Sequence, residues 1–482
     1  MPGLWLWQRQ APLITGSVRT TAVGYDHDNR TRHAAIERHQ LNDPVIELLR
    51  TLIRNECVND GSAESGFEER SVRTLVEFFG VEGTIVEPSK GRQSLVYRVR
   101  GTDSSSPALA LVPHLDVVPA NPVAWSVSPF SAEIKDGIVY GRGAVDMLNI
   151  VAAMAVAFKP YLNGEKASKG DLVFCAVADE EGGGRFGAHH LVKHHWPLVE
   201  APFVLTEIAY PGLQEHDVRS IPVAIGEKGS FFSKLKFGGI AGHGSAPYGV
   251  DSAAGGLVAA LHAIIGTPTP MRVTEEWTSL VRWLGLDEET TDALTDVDRI
   301  DQAIELVAVA DPLLARYIHA ATHLTISANY LRAGNKANII PDRATAVLDI
   351  RTMPGMNREF VNEHLRSSMG SSAEGVEIVS VSNDESSVSS TENGLWQAIG
   401  DSIQDLEGHR NIVPVLGTVA TDARFWRRKG AVAYGVGIYD DRTSFSELQT
   451  LFHGDDERVS IESVHRTTAL YERVLERYGE RA

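Results

Sequence analysis

Five short stretches of this chain end in residues that can hold a cation or move a proton. The first, Leu109-Ala-Leu-Val-Pro-His114-Leu-Asp116, is an apolar run closing on an imidazole and a carboxylate. Side chains two apart on a strand share a face, so His114 and Asp116 emerge together. That suits a metal-ligating imidazole whose second ring nitrogen is held by a carboxylate. In the second, Tyr140-Gly-Arg-Gly-Ala-Val-Asp146, a carboxylate stands at the head of an apolar helix. Alone, Asp146 reads as a helix cap. Gly141 and Gly143 lack the third glycine of a dinucleotide fingerprint, which disfavours a phosphate site. The third, Leu172-Val-Phe-Cys-Ala-Val-Ala, delivers Asp179, Glu180 and Glu181 into a glycine turn. Crowded anions repel unless a cation or proton intervenes, although a solvated acidic turn has the same composition. Adjacent side chains point to opposite sides, so Glu180 and Glu181 have different parts to play. Phe203-Val-Leu-Thr-Glu207 ends in a fourth carboxylate, and Thr450-Leu-Phe-His453 opens an acid-rich loop. A histidine, an aspartate, two glutamates and a second histidine exceed what one tetrahedral zinc with an open position takes. Two divalent ions sharing a carboxylate and a water can use them all.

These residues need a scaffold of strand ends. Short apolar runs at 94–99, 108–112 and 172–178 alternate with helical patterns at 44–53, 68–79, 147–162 and 187–193. Strands interleaved with helices predict an α/β layer with a largely parallel sheet, whose chemistry gathers at the carboxyl ends of strands. After Pro222 the pattern changes. Val223–Phe237 reads as a strand pair, followed by a helix from Ser252, strands at 324–330 and 345–351, a helix at 358–368 and a strand at 376–381. Residues 223–386 thus read as a smaller α+β sandwich inserted into a catalytic domain formed by 34–222 and 387–482. The acidic, Thr-rich stretch 266–311 reads as an insertion with short helices of its own, and residues 1–33 as a loose N-terminal arm.

At 482 residues the chain exceeds one ordinary core. Its 43% hydrophobic and 22% charged content are those of a globular protein. With 45 Lys+Arg against 63 Asp+Glu, the net charge of -18 repels phosphate backbones and anionic lipid. Nucleic acid and membrane are therefore not expected partners. Cys57 and Cys175 are too few for a disulfide framework and fit reduced thiols in a cytoplasmic protein. The opening Met-Pro-Gly-Leu-Trp-Leu-Trp has no basic region or small-residue cleavage site, so no signal peptide is expected.

Taken in order, the five motifs resemble the M20 family of dinuclear zinc peptidases and amidohydrolases, over roughly residues 40–478. That family includes carboxypeptidases, aminoacylases, dipeptidases and a desuccinylase. The resemblance implies a zinc-peptidase-like α/β catalytic domain, with a mainly parallel mixed sheet between helices and the inserted domain as lid or dimerisation body. It implies that His114 and Glu207 hold one Zn2+, that Glu181 and His453 hold the other, and that Asp146 bridges both. Co2+ or Mn2+ are substitutes. Asp116 then orients His114, and Glu180 is the general base that activates the bridging water and returns its proton to the leaving nitrogen. His243, in Gly242-His-Gly-Ser-Ala-Pro247, matches a histidine that polarises the scissile carbonyl, often from the partner subunit of a homodimer. Asn338 and Arg351 match positions that bind substrate carboxylate or oxyanion; without the resemblance, Arg351 is a surface charge and His243 a loop histidine. The implied substrate is a small peptide, such as a dipeptide, or an N-acyl amino acid with a free carboxylate. A succinyl or acetyl amino acid deacylase is the alternative, and a non-catalytic binding relic the rival from another class.

The chain departs from the family at Leu148, where Lys is usual after the bridging Asp, and at Ile208-Ala-Tyr-Pro-Gly, where two glycines are common. The second departure predicts an altered substrate wall. His189, His190, His194 and His195 form the densest histidine cluster, but it lacks the carboxylate of a His-Glu-x-x-His helix and is expected outside the site. Thr421-Asp422-Ala-Arg424 matches a family motif near the active site, with a supporting role.

Overall fold

The computed structural model describes residues 43–215 and 218–481, so the expected arm at 1–33 lies outside the described residues. A ten-stranded sheet runs in the order Thr84–Ser89, Arg92–Val99, Leu172–Ala176, Leu109–Leu111, Phe203–Thr206, Val432–Gly435, Val218–Glu227 and Ser387–Val388. Strands Ile412–Gly417 and Leu213–Glu215 also pair with Val218–Glu227. The four central strands, from Leu172–Ala176 to Val432–Gly435, are parallel. The strands beyond Leu172–Ala176 on one side are antiparallel. This is the mixed α/β sheet that the family resemblance implies; the parallel pairing expected from the alternation holds in its central strands.

Both faces of the central strands are covered, which is why they read as continuous apolar runs. Leu172, Phe174 and Ala176 share a hydrophobic cluster with helices Pro44–Arg54, Leu148–Leu162 and Ile461–Arg481. Val173, Cys175 and Val177 face the other way, onto helices Ala188–His194 and Ala423–Arg427. Burying one such Leu or Phe side chain contributes on the order of 1.5–3 kcal/mol. Helix Leu148–Leu162 is apolar nearly all round and is correspondingly buried.

A five-stranded antiparallel sheet has the order Gly229–Ser230, Arg343–Thr352, Ser233–Gly238, Glu377–Ser380, with Thr325–Ala333 also paired to Arg343–Thr352. Alternate residues Ala344, Ala346, Leu348 and Ile350 pack on helices Ala253–Gly266 and Arg358–Met369. Ser252 and Asn357 cap these helices through their side chains, each accepting a backbone N–H three residues on.

Two segments settle differently from the expected division at 223–386. Val223–Phe237 is not one strand pair of the smaller body. Val218–Glu227 belongs to the large sheet, and only Gly229–Ser230 and Ser233–Gly238 join the small one. The buried Glu227 carboxylate anchors that boundary by accepting from Thr421, Ser387 and Arg427. The stretch 266–311 does form helices of its own, Glu275–Val281, Glu288–Ala293 and Ile300–Ala310. Trp277, Leu280 and Ile300, with Tyr317 and Ile318 of the following helix Pro312–Thr322, enter the hydrophobic cluster of the large sheet. An apolar stripe shows that a helix must bury one face, but it does not say which sheet receives it.

Candidate metal centre

Three of the chemical residues leave the carboxyl ends of neighbouring parallel strands. His114 follows Leu109–Leu111, Glu181 follows Leu172–Ala176 and Glu207 follows Phe203–Thr206. Asp146 ends the turn before helix Leu148–Leu162, and His453 lies just beyond helix Phe445–Leu451. A single bridge between His114 and Val177 sets the imidazole level with the acidic turn.

These residues converge as two triads that share Asp146. His114 Nε2 lies 3.1 Å from Asp146 Oδ1 and 3.4 Å from Glu207 Oε2. His453 Nε2 lies 3.3 Å from Asp146 Oδ2 and 3.2 Å from Glu181 Oε2. In each triad one donor atom per residue lies within 4.8 Å of the others. The two oxygens of Asp146 therefore face opposite triads. His114 is buried, whereas the His453 side chain is 53% exposed at the mouth.

The donor set suits two divalent cations. Glu181 Oε1 and Glu207 Oε1 are buried and have no hydrogen-bond partner, a costly state that a cation relieves. Nitrogen and oxygen donors in open triads suit catalytic divalent-metal sites. Burial by itself would lower the pKa of His114, but Asp146 and Glu207 outweigh it and hold the imidazole well above its usual value. His453 is likewise raised to about 10, because Asp146 and Glu181 overcome the effect of burial. Burial pushes Glu207 up to about 7. The centre is short of positive charge, which protons or cations can supply.

Glu180 belongs to neither triad, although it lines the same cavity. Burial, then Glu207 and Asp422, hold its carboxyl well above the usual carboxylate range. Arg424 Nη1 stands 3.8 Å from Glu180 Oε1. Asp116 is placed differently from the expectation that it orients His114. Its Oδ1 is 3.7 Å from His114 Nδ1, too far for a hydrogen bond, and the ring nitrogen instead meets the Asp116 backbone carbonyl at 3.0 Å. The Asp116 carboxylate accepts the backbone N–H groups of Glu180 and Glu181, and Asn59 Nδ2.

A cavity of about 660 Å³ opens from the triads. Ile208, Tyr210, Phe232, Val381, Val419 and Phe452 give it an apolar wall. Ile208 and Tyr210 belong to the loop whose sequence departs from the family. Tyr210 stacks on Phe445, which meets Tyr317 edge-on, so helix Pro312–Thr322 buttresses the cavity wall. Arg351 also lines the cavity and spends Nε and Nη2 on Asp349, at 2.6 and 3.1 Å. His243 and Asn338 are not brought to this cavity within one chain. They sit together on an exposed ribbon formed by Gly242–His243 and Ile339–Ile340. Leu148 is buried in the core, where its side chain crowds Gly143.

The histidine cluster is separate from the centre. His190 lies 4.7 Å from His194 and 5.4 Å from His195 between ring centroids, and none of the three lines the cavity. Sequence reasoning missed Asn59, Glu457, Arg142 and the buried Arg92, which ion-pairs with Glu68 and Asp179 at 2.8 Å. Arg142 lies within Gly141-Arg-Gly143, and Glu457 lies in the acid-rich loop four residues after His453. That proximity was the one available signal, since burial of a charge leaves no mark on its own sequence.

The model of peptidase family M20/M25/M40 matches residues 110–477. The chain is 27% identical over 405 residues to the N-fatty-acyl-amino acid synthase/hydrolase PM20D1 of Homo sapiens, covering 81% of this chain and 77% of that protein. It is 26% identical over 455 residues to the succinyl-diaminopimelate desuccinylase of Beijerinckia indica, covering 91% of this chain and 100% of that one. Among solved structures, the M20 family metallo-carboxypeptidase Sso-CP2 from Sulfolobus solfataricus shares the fold. Its TM-score is 0.68 at 18% identity, over 91% of this chain and 100% of that one.

Proposed function

The chain belongs to peptidase family M20/M25/M40, and from that premise we propose that it hydrolyses the amide bond of a small substrate with one free carboxylate and an apolar acyl group. One observation carries the reading: two open triads share Asp146, while Glu180 stands beside them as a ligand of neither. On this reading His114, Asp146 and Glu207 hold one divalent cation, and Asp146, Glu181 and His453 hold the other. When bound, the cations supply Lewis acidity toward water and the scissile carbonyl. Glu180 takes a proton from the attacking water and returns it to the leaving nitrogen.

The substrate class follows from the walls. Arg351 has Nη1 left after its two bonds to Asp349, enough to meet one carboxylate. Arg424, the other arginine of the cavity, already faces Glu180 and Asp384. A succinyl group brings a second carboxylate with no comparable partner among the described lining residues of one chain, whereas an apolar acyl or side chain fits Ile208, Phe232 and Val419. The desuccinylase relative supports a second reading, hydrolysis of an N-succinyl amino acid.

A homodimer supports catalysis in this proposal. His243 is exposed on its ribbon, and Tyr330 and Leu331 of the small sheet are exposed as well. Such a surface suits a second copy that brings its own histidine to the neighbouring cavity. The cytoplasm suits the two buried free thiols. Among the described residues, no helix is long and apolar enough to cross a membrane.

The test is metal analysis joined to a substrate panel. Two zinc or cobalt ions per chain are expected, with faster turnover of medium-chain N-acyl amino acids than of N-succinyl amino acids. Fewer than one ion per chain after mild purification would sink the dinuclear reading. Preference for succinyl substrates would replace the first substrate class with the second. Sedimentation would show whether the active species is the dimer.

A further inference from the structure

Two of the five ligands are on loops. His114, Glu181 and Glu207 leave the ends of strands of the large sheet, whereas Asp146 and His453 lie on connections flanking Ile138–Tyr140 and Arg458–Ser460, which pair in a separate three-stranded sheet. Loop-borne ligands keep a productive geometry only if other groups lock them. That pairing sets the backbones side by side, and the side chain of Glu457, which is fully buried, joins the two connections closer to the ligands. Its Oε1 accepts the backbone N–H of Val145 at 2.7 Å and that of Asp146 at 3.0 Å. Its Oε2 accepts the N–H of Gly143 at 3.0 Å and Arg142 Nη1 at 2.7 Å. Arg142 then uses Nη2 to donate to the backbone carbonyl of His453 at 3.2 Å and to that of Pro119 at 3.4 Å.

We infer that Glu457 and Arg142 are positioning residues that build the cation site of Asp146, Glu181 and His453, and that they matter less to the site of His114 and Glu207. Every acceptor position on the Glu457 carboxylate is engaged, three by the turn that presents Asp146 and one by the guanidinium that reaches His453. The pair fixes the spacing between Asp146 and His453, which only that triad uses together. His114 and Glu207 receive no hydrogen bond from either residue. A charged acceptor is required, because a neutral amide in place of Glu457 would turn an N–H donor toward backbone N–H groups or the guanidinium.

The inference rests on the two-cation reading, and the experiment separates the two. Zinc is titrated calorimetrically into metal-free wild type, Glu457→Gln, Arg142→Lys and His453→Ala. Melting temperatures are measured with and without zinc. The step abolished by His453→Ala identifies the loop-held site. Glu457→Gln is expected to weaken that step by about 10–100-fold and the other step less, through the shared Asp146 alone. The gap between zinc-loaded and metal-free melting temperatures should shrink in proportion. Arg142→Lys keeps a charge for Glu457 but loses the reach to His453, so a smaller weakening of the same step is expected. It also serves where the glutamine variant does not fold. Native affinity at both steps in either variant, equal weakening of both steps, or a lower metal-free melting temperature with an unchanged zinc gap would overturn the positioning role. Wild type binding a single zinc would overturn the two-cation reading itself and this inference with it.

Discussion

Asp116 holds Glu180 by the backbone: its Oδ1 accepts the Glu180 N–H at 3.1 Å, while the same oxygen stays 3.7 Å from His114 Nδ1. Its other oxygen takes the N–H of Glu181 and the amide of Asn59, whose Nδ2 also donates to Asp179. Asp116 therefore ties the turn that presents both the proposed base and a ligand to the strand that presents His114.

Replacing Asp116 with Asn sets an N–H donor against donors already in place. We expect Asp116→Asn to lower kcat by about 10–100-fold while the bound metal content stays that of wild type. Metal counting beside steady-state kinetics checks this. Loss of one zinc with near-normal turnover per remaining dinuclear centre would return Asp116 to a role through His114.

Glu180→Gln keeps the shape of the cavity and removes the proton acceptor. Turnover should fall by about 10²–10⁴-fold with zinc content unchanged. Turnover within a few-fold of wild type would take Glu180 out of the proton relay.

Lys228 gives a pH dependence away from the metal centre. It is buried at the crossing between the two sheets, and Nζ donates to the carbonyls of Ala320 and His323 at 2.8 and 2.6 Å. Burial, then Arg351, lower its pKa to about 7. The unfolded chain, with an ordinary lysine near 10.5, binds more protons between these values. Stability relative to a Lys228→Met variant should therefore rise with pH from 7 toward 10, by up to about 1.4 kcal/mol per pH unit. Urea unfolding of both proteins at pH 7, 8 and 9 measures the gap, and a flat gap contradicts the lowered value.

Cys57 and Cys175 are both buried, and burial pushes the Cys57 thiol up to about 12. Iodoacetamide at pH 8 should label neither in the folded protein and both in urea. Mass spectrometry reads the count directly. Rapid labelling of Cys57 in the native state would show that the corner beside Ser71 opens.

Much of the centre was legible because its ligands terminate local patterns. Apolar runs that end in His114, in Glu180 and Glu181, or in Glu207 mark strands by composition and strand ends by the change to polar residues. Period-two side chains then separate Glu180 from Glu181. Helix Glu69–Phe79 with its left-handed Gly80 followed from local signals in the same way. His243 was readable as a motif but not as a place, and in one chain it lies exposed on a ribbon away from the cavity.

The sequence by itself determined the family, the α/β plan and the residue types able to gather two cations, since all of these reside in short runs and their order. Only the tertiary structure decided that Asp116 serves the Glu180 turn, that Glu457 joins the loops of Asp146 and His453, and that Trp277 and Tyr317 pack with the large sheet. Those facts depend on which groups meet across hundreds of residues, and the choice of partner is settled by packing the whole chain rather than by the preference of any segment.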